Sequence, residues 1–470
     1  MEFSQGGERQ NRNSRKAGIT EGYCNSVYYY YGKIIRSDSL VDTTVKEYKK
    51  ILRELSERIV NAQEKIRILN ALKWDVSVKT DFFNKKCSEL PAVDRSTYEK
   101  TPLEFDPNAK TEEFYDIERD IRRRLGQFSG IANIMLRMCR EYREVVRLLQ
   151  ARGSPEFPKI SQELYGGAQD AFYAGAPTLQ DLARLVTKTL EKVTITKEPS
   201  DEKKYSSEEA VHILGDRLNK YFGSAEGHLR VKLSDDIIAD ASAGAEWIKL
   251  RKNVQFSERE LKVLEVHEGW VHMATTLNGL AQPVCTFLSK GPPSSTISQE
   301  GLAIIMEIFT FSSSPQRLLM LTHRVTVVDM VEQGADFLDV FNFYCSLGFD
   351  KETCYHASMR VFRGCLPDRG PFTKDLSYSK GFILIYNYIR LAIKNNLAHY
   401  IPLLFLGKTT LEDLSIYSDL MAEGIIVPPK YLPEQFKDLA GLTTWMTYSL
   451  FLNQLSLERL TANYKGILQI

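Results

Sequence analysis

Val263–Thr276, "VLEVHEGWVHMATT", carries two histidines five residues apart, with a glutamate directly after the first. A zinc-protease helix ordinarily spaces its histidines by four, so that both point the same way. In a regular helix, residues four apart diverge by about 40° and residues five apart by about 140°. His267 and His272 can therefore share an ion only if the helix accommodates one extra residue, as a π-bulge does. Gly269, a poor helix former, falls inside the interval that has to widen. The ends of the helix are well marked. Ser257 followed three residues later by Glu260 forms a capping box, and Asn278-Gly279 forms a stop. These signals predict a helix from about Glu258 to about Leu277.

The residue types suit one kind of chemistry. Neutral imidazoles ligate Zn²⁺, and a catalytic zinc needs three protein ligands with one position left open. Glu268, next to the first histidine, is placed to take a proton from an attacking water and pass it to a leaving amine. By composition, an HExxxH match arises in roughly one such chain in a hundred. The competing reading is two helical histidines, one in the core and one near the surface. "STISQEGLAIIMEIF" (295–309) offers a third ligand, since Glu300 falls at the beginning of a second apolar helix. Together with the two histidines it makes a His₂Glu set. Otherwise it is an acidic residue interacting with a helix dipole. Glu307, two turns on in an apolar run, is costly to bury without a partner. It either accepts a hydrogen bond from a ligand histidine or reaches solvent.

The rest of the chain excludes several alternatives. Its 470 residues are 43% hydrophobic and 26% charged, with a net charge of +1. That is ordinary globular composition without the basic excess of a nucleic-acid binder. Arg122-Arg123-Arg124 reads as a solvated helical face. No uncharged apolar run reaches about 18 residues, so no membrane partner is expected. Seven cysteines with no CxxC pair argue against a thiolate metal site or a redox pair. With no signal peptide at the N-terminus, a cytoplasmic location is expected. Cys345, in "FNFYCSLGF", reads as a small core hydrophobe.

Residues 1–22 are polar and read as a disordered tail, followed by a possible strand or anchor, "VYYYYGKII". Helical periodicity from Asp42 to about Leu72 and again from Thr111 to about 150 predicts an N-terminal helical subdomain over 23–160, closed by the Gly-Ser-Pro linker at 153–155. A catalytic domain is expected over 161–470. Its small sheet lies at about 193–251, including "VTITK" and a hairpin or small antiparallel sheet at 229–251. Two zinc helices follow at about 258–311, and then a helical C-terminal part. "SSEEAVHILGDRLNKYF" is a helix starting at Ser206 or Ser207. The fold class is α+β, mainly helical, with the small sheet before the zinc helix.

His267-Glu-Gly-Trp-Val-His272 followed by Gln299-Glu-Gly-Leu-Ala303 resembles the QEGLA-motif family. That family includes the microtubule-associated tyrosine carboxypeptidases, and its bacterial members are labelled flavohaemoglobin expression-modulating proteins. "RVFRG" (360–364) and "FTKDLSYSKGF" (372–382) are similar to the family too, and the similarity runs from about 45 to 460. The resemblance implies a gluzincin-like body holding Zn²⁺ on His267, His272 and Glu300, with Glu268 as catalytic base. It implies removal of a C-terminal residue, which is tyrosine from α-tubulin in the eukaryotic members. The extended basic N-terminal region associated with microtubule contact is reduced here to a short tail with Arg9, Arg12, Arg15 and Lys16. The chain looks closer to the bacterial members, and tubulin is left open as a substrate.

A carboxypeptidase also needs a cation for the terminal carboxylate, and arginine does this best through a bidentate fork. Arg360 and Arg363, three apart, could share a helical face and serve as substrate-binding residues, or they are surface charges. Lys374 could assist, and Tyr378 could donate a hydrogen bond to a developing oxyanion; a packed tyrosine is the commoner fate. An edge strand of the sheet could align an extended peptide. His323 and His356 match no spacing rule and read as structural. The leading expectation is a zinc metallocarboxypeptidase acting on a protein or peptide C-terminus. The alternative is a non-catalytic metal-binding regulatory protein affecting flavohaemoglobin expression, for which a closed site with four protein ligands is expected.

Overall fold

A computed structural model describes residues 39–126, 129–193, 199–223, 230–234, 241–244 and 247–468. The expectations for the 1–22 tail, for "VYYYYGKII" and for most of "VTITK" lie outside these residues. The chain divides into two units, Met1–Glu47 and Tyr48–Ile470, and the second is described from here on.

Helices dominate, as the periodicity predicts. Leu52, Leu55 and Ile59 join Ile117 and Ile121 of Pro107–Leu125, and Met135 and Leu149 of Gly130–Gln150, in one apolar core. The same core takes in Val266 and Val271 beside the histidines, Leu302 and Ile305 beside Glu300, and Ile385 and Ile389 of Ser377–Lys394. Helices before residue 160 and those carrying the candidate site thus bury one another's apolar faces. A second cluster is aromatic, with Phe82 meeting Phe337, Phe341 and Tyr355 at centroid distances of 5.2–5.4 Å. Those separations suit tilted and edge-to-face aromatic packing. Cys345 is only half-buried against this cluster, and Cys354 is the buried thiol of that region.

Strand β1 (Lys203–Tyr205) pairs antiparallel with β5 (Phe256–Ser257), immediately ahead of the histidine helix. The 229–251 region differs from the hairpin read there. Strand β4 (Trp247–Arg251) is central, β3 (Ala241–Ala243) pairs with it antiparallel, and β2 (Arg230–Ser234) lies on its other side in parallel register. The tight return is between β3 and β4, where Gly244 N–H donates to Trp247 O at 2.6 Å. The apolar/polar alternation is real, since Ile248 and Leu250 are buried, but alternation reports a face and not a strand direction.

Both capping boxes form. Ser206 is the N-cap of Ser207–Phe222, and Ser257 is the N-cap of Glu258–Leu264. The stop expected after Leu277 falls later, at Leu280. Asn278 does not end the helix; it is buried, with Nδ2 donating to Phe405 O and Tyr431 O at 2.8 Å each. Two glycines bring the remaining site elements together. A Cβ on Gly301 would fall 2.1 Å from the carbonyl carbon of Gly381, and one on Gly381 would fall 2.0 Å from Ile297 O. Pro293–Phe309 and Ser377–Lys394 therefore cross backbone to backbone, which only glycine permits. Among the described residues no helix is long and apolar enough to cross a membrane.

Candidate metal centre and active site

The histidine helix continues past Leu264 as a nine-residue π-helical segment, Glu265–Met273, before returning to α geometry at Ala274–Leu280. This is wider than the single bulge the spacing calls for, and it has the same effect. One turn gains a residue, and positions five apart come to one side. The rings of His267 and His272 meet edge to face with centroids 4.8 Å apart. Gly269 has a second role beyond its weak helix preference. A Cβ there would lie 2.3 Å from Leu218 Cδ2, so its absence lets Ser207–Phe222 pack against the widened turn.

Glu300 arrives from the helix Pro293–Phe309. Its Oε2 lies 3.3 Å from His267 Nε2 and 3.5 Å from His272 Nε2. The three ligand atoms all fall within 4.8 Å of one another. That Oε2 is buried and makes no hydrogen bond. An orphaned carboxylate oxygen facing two imidazole nitrogens is costly unless something else joins them. Two nitrogens and one hard oxygen are a donor set that suits Zn²⁺. Among the described residues, no fourth histidine, cysteine or carboxylate belongs to this group.

Glu307 resolves its two readings. It is fully buried and accepts from His267, Nδ1 to Oε1, at 2.7 Å. Arg317 grips the same carboxylate with two hydrogen bonds, both 2.5 Å. This arrangement fixes the ring and tautomer of a ligand histidine. Burial would push the His267 imidazolium down, but Glu300 and Glu307 hold it up at about 9. Burial would raise Glu300, yet the two histidines and Lys374 keep it well below the carboxylate range. Burial would likewise raise Glu307, and Arg317 and His267 hold it down at about 2.

Glu268 is half-buried on the same turn, within electrostatic reach of His267 and Arg317. Lys374 Nζ stands 3.8 Å from Glu300 Oε1. The Tyr378 ring lies parallel to that of His267 at 6.2 Å, with the Arg324 guanidinium 4.7 Å from its centroid. Burial, then Glu300, raises the Tyr378 phenol above its ordinary value.

Arg360 and Arg363 share a location but not a partner. Arg360 meets Asp375 in a bidentate pair at 2.8 and 3.0 Å. Arg363 is 4% exposed, its Nε has no hydrogen-bond partner, and its guanidinium stands 5.9 Å from the Phe372 centroid. Burial and the neighbouring Arg360 lower Arg363 to about 10. Arg324 reaches Asp375 at 4.0 Å, so three guanidiniums surround one carboxylate. His323 packs on Phe343 and Tyr344, and His356 faces Glu352 and Lys79, both away from the cluster.

Sequence reasoning missed Arg317, Arg324, Asp375 and Lys408. Glu307 in an apolar run demanded a cation, but no spacing rule points ten residues on to Arg317. Lys408 donates to His272 O at 2.8 Å and to Thr275 Oγ1 and Gln299 Oε1 at 3.0 Å each. Burial lowers its ammonium to about 7.

Comparison with known proteins gives the class first: residues 80–454 match a peptidase family that acts as carboxypeptidases, and the matched span holds every candidate site residue named above. The chain belongs to the microtubule-associated tyrosine carboxypeptidase family. No curated protein matches the sequence.

Proposed function

We propose that the chain is a zinc-dependent carboxypeptidase that releases a residue from a protein or peptide C-terminus. The observation that supports this reading most is the convergence of His267, His272 and Glu300 within 4.8 Å, with Glu268 following the first histidine. A set of three protein donors suits a catalytic site better than a closed structural one, so the regulatory alternative has less support. Zn²⁺ held there would polarise the scissile carbonyl and make water a better nucleophile at neutral pH.

The chain's own groups do the rest. Glu268 takes the proton from the attacking water and delivers it to the departing amine. Glu307, pinned by Arg317, keeps the His267 ring presenting Nε2 toward Glu300. Tyr378 stays a phenol and donates to the oxygen on which charge develops. Arg363, buried and unpaired, receives the substrate's terminal carboxylate, with Arg360 and Lys374 adding positive potential on either side. The family makes a C-terminal tyrosine, such as that of tubulin, the first substrate to offer.

The test combines metal content with peptide assays. The purified chain should hold about one zinc, and Glu300→Ala should lose most of it. Glu268→Gln should retain the metal and release no C-terminal residue. Undiminished release by Glu268→Gln, or no zinc in the wild type even after it is offered, would overturn the reading.

A further inference from the structure

Lys408 takes no part in the chemistry just described, yet its ammonium joins two pieces of the candidate metal centre. Its backbone is immobilised first. Lys408 N–H donates to Leu288 O at 2.7 Å, and a Cβ on Gly407 would fall 2.6 Å from that same oxygen. The lysine stem therefore starts from a fixed point. At the other end, all three ammonium donors are used: His272 O at 2.8 Å, Thr275 Oγ1 at 3.0 Å and Gln299 Oε1 at 3.0 Å. Three donors is the full capacity of an ammonium.

Each acceptor has a definite place. His272 O belongs to a candidate ligand, one residue before the π segment reverts to α geometry. It also takes side-chain donors from Thr276 at 2.7 Å and Thr275 at 3.2 Å. Gln299 immediately precedes Glu300, and its Oε1 accepts from Thr275 Oγ1 at 2.7 Å besides the lysine. Its Nε2 returns to Gly407 O at 3.4 Å. A closed loop of hydrogen bonds thus runs from the His272 backbone through Lys408 and Gln299 to the Glu300 helix. None of the three acceptors is a carboxylate, so the cation is held here by neutral groups. This costs desolvation without a contacting counter-charge, and an ordinary surface lysine would avoid it.

We propose that Lys408 is a positioning residue of the metal centre, a three-point clamp that ties the π-to-α junction at His272 to Gln299 and so sets the separation of the His272 and Glu300 ligand atoms. This rests on the metal reading given above. Clamp and charge make opposite predictions. A cation close to a Zn²⁺ site repels the ion, so removing the charge alone should tighten binding. Removing a clamp should loosen it, on the order of the 10–100-fold seen when groups supporting metal ligands are lost.

The experiment measures Zn²⁺ affinity by competition with a chromophoric chelator, and the visible spectrum of the Co²⁺-loaded protein, for wild type, Lys408→Met, Lys408→Arg and Thr275→Val. Lys408→Met should bind Zn²⁺ 10–100-fold more weakly and shift the Co²⁺ bands, because the ligands no longer converge in the same geometry. Lys408→Arg keeps the charge, but its planar fork does not match three converging acceptors, so its affinity should fall too. Thr275→Val removes one acceptor without touching the lysine and should move both readouts in the same direction, even if Lys408→Met fails to fold. Tighter binding in Lys408→Met, or unchanged affinity and bands in the folded variants, overturns this proposal alone. A wild-type chain that binds neither ion overturns both this proposal and the metal reading.

Discussion

Replacing Glu307 with glutamine separates what the buried carboxylate does for the fold from what it does for the metal centre. Glu307 is 0% exposed and answers two groups, His267 and Arg317. An amide of the same shape can still accept from the imidazole, but it leaves the Arg317 guanidinium without a counter-charge. Breaking a buried ion pair from one side costs about 3–5 kcal/mol. The Arg317 side chain keeps 29% of its surface, so screening places the loss at the low end, about 3 kcal/mol. Against a typical total of about 5–15 kcal/mol, that is large enough to move a urea midpoint visibly. Zinc affinity should fall about 10–100-fold as well. The double variant Glu307→Gln/Arg317→Met removes the stranded charge, and its midpoint should return most of the way. Its zinc affinity should stay low, because His267 Nδ1 still lacks a carboxylate. Equilibrium urea unfolding of chelator-treated protein and chelator competition for Zn²⁺ give the two readouts. Recovery of both in the double variant, or loss of neither in the single one, would refute the reasoning.

Gly301→Ala should be far more damaging than an ordinary helix substitution, which usually favours alanine. The added carbon would meet the Gly381 backbone at 2.1 Å, so a loss of about 3 kcal/mol or more or an insoluble product is expected, and a thermal melt equal to wild type would contradict the backbone crossing. Arg363→Met should raise KM for peptides with a free C-terminus and leave the slow turnover of C-terminally amidated peptides unchanged; equal effects on both would remove Arg363 from the carboxylate role. For the metal-free protein the pH dependence has two limbs. His267 is held up at about 9 against about 6.5 unfolded, so its contribution is complete below about 6.5 and is lost as pH rises through about 9. Glu307 is held down at about 2 against about 4.3 unfolded, so its contribution is present above about 4.3 and is lost as pH falls toward 2. Urea midpoints in chelator should therefore be highest between about pH 4.5 and 6.5, and a His267→Gln variant should lack the alkaline limb.

The parts of the site that could be read from the chain are those written in local spacing. The capping box at Ser257 and Glu260 places the histidine helix, and the five-residue interval demands a widened turn; both are present. Glu300 sits on its own motif, and the three groups meet. What escaped notice depends on elements far apart in the chain. Lys408 is 136 residues from His272, and nothing around "LGKTT" says where its ammonium ends. Arg324 and Asp375 are brought together by packing of helices whose registers no pattern states. Arg360 and Arg363 look equivalent as a pair three apart, but the fold supplies Asp375 to one and not the other. The parallel register of β2 was invisible for a similar reason. Alternation of apolar residues is the same whichever way the neighbouring strand runs.

The widened turn also constrains how this chain can change by descent. Deleting one residue between His267 and His272 would restore the commoner four-residue interval and an ordinary helix. Everything after the deletion would then rotate by about 100° relative to what precedes it. Asn278 would swing away from the Phe405 and Tyr431 carbonyls, and Gly279 would leave the Leu288 carbonyl that a Cβ would meet at 2.4 Å. Thr275 would lose Gln299 at the same stroke. The extra residue is therefore held by partners outside the helix. A lineage that acquired it could lose it again only by changing three distant contacts together.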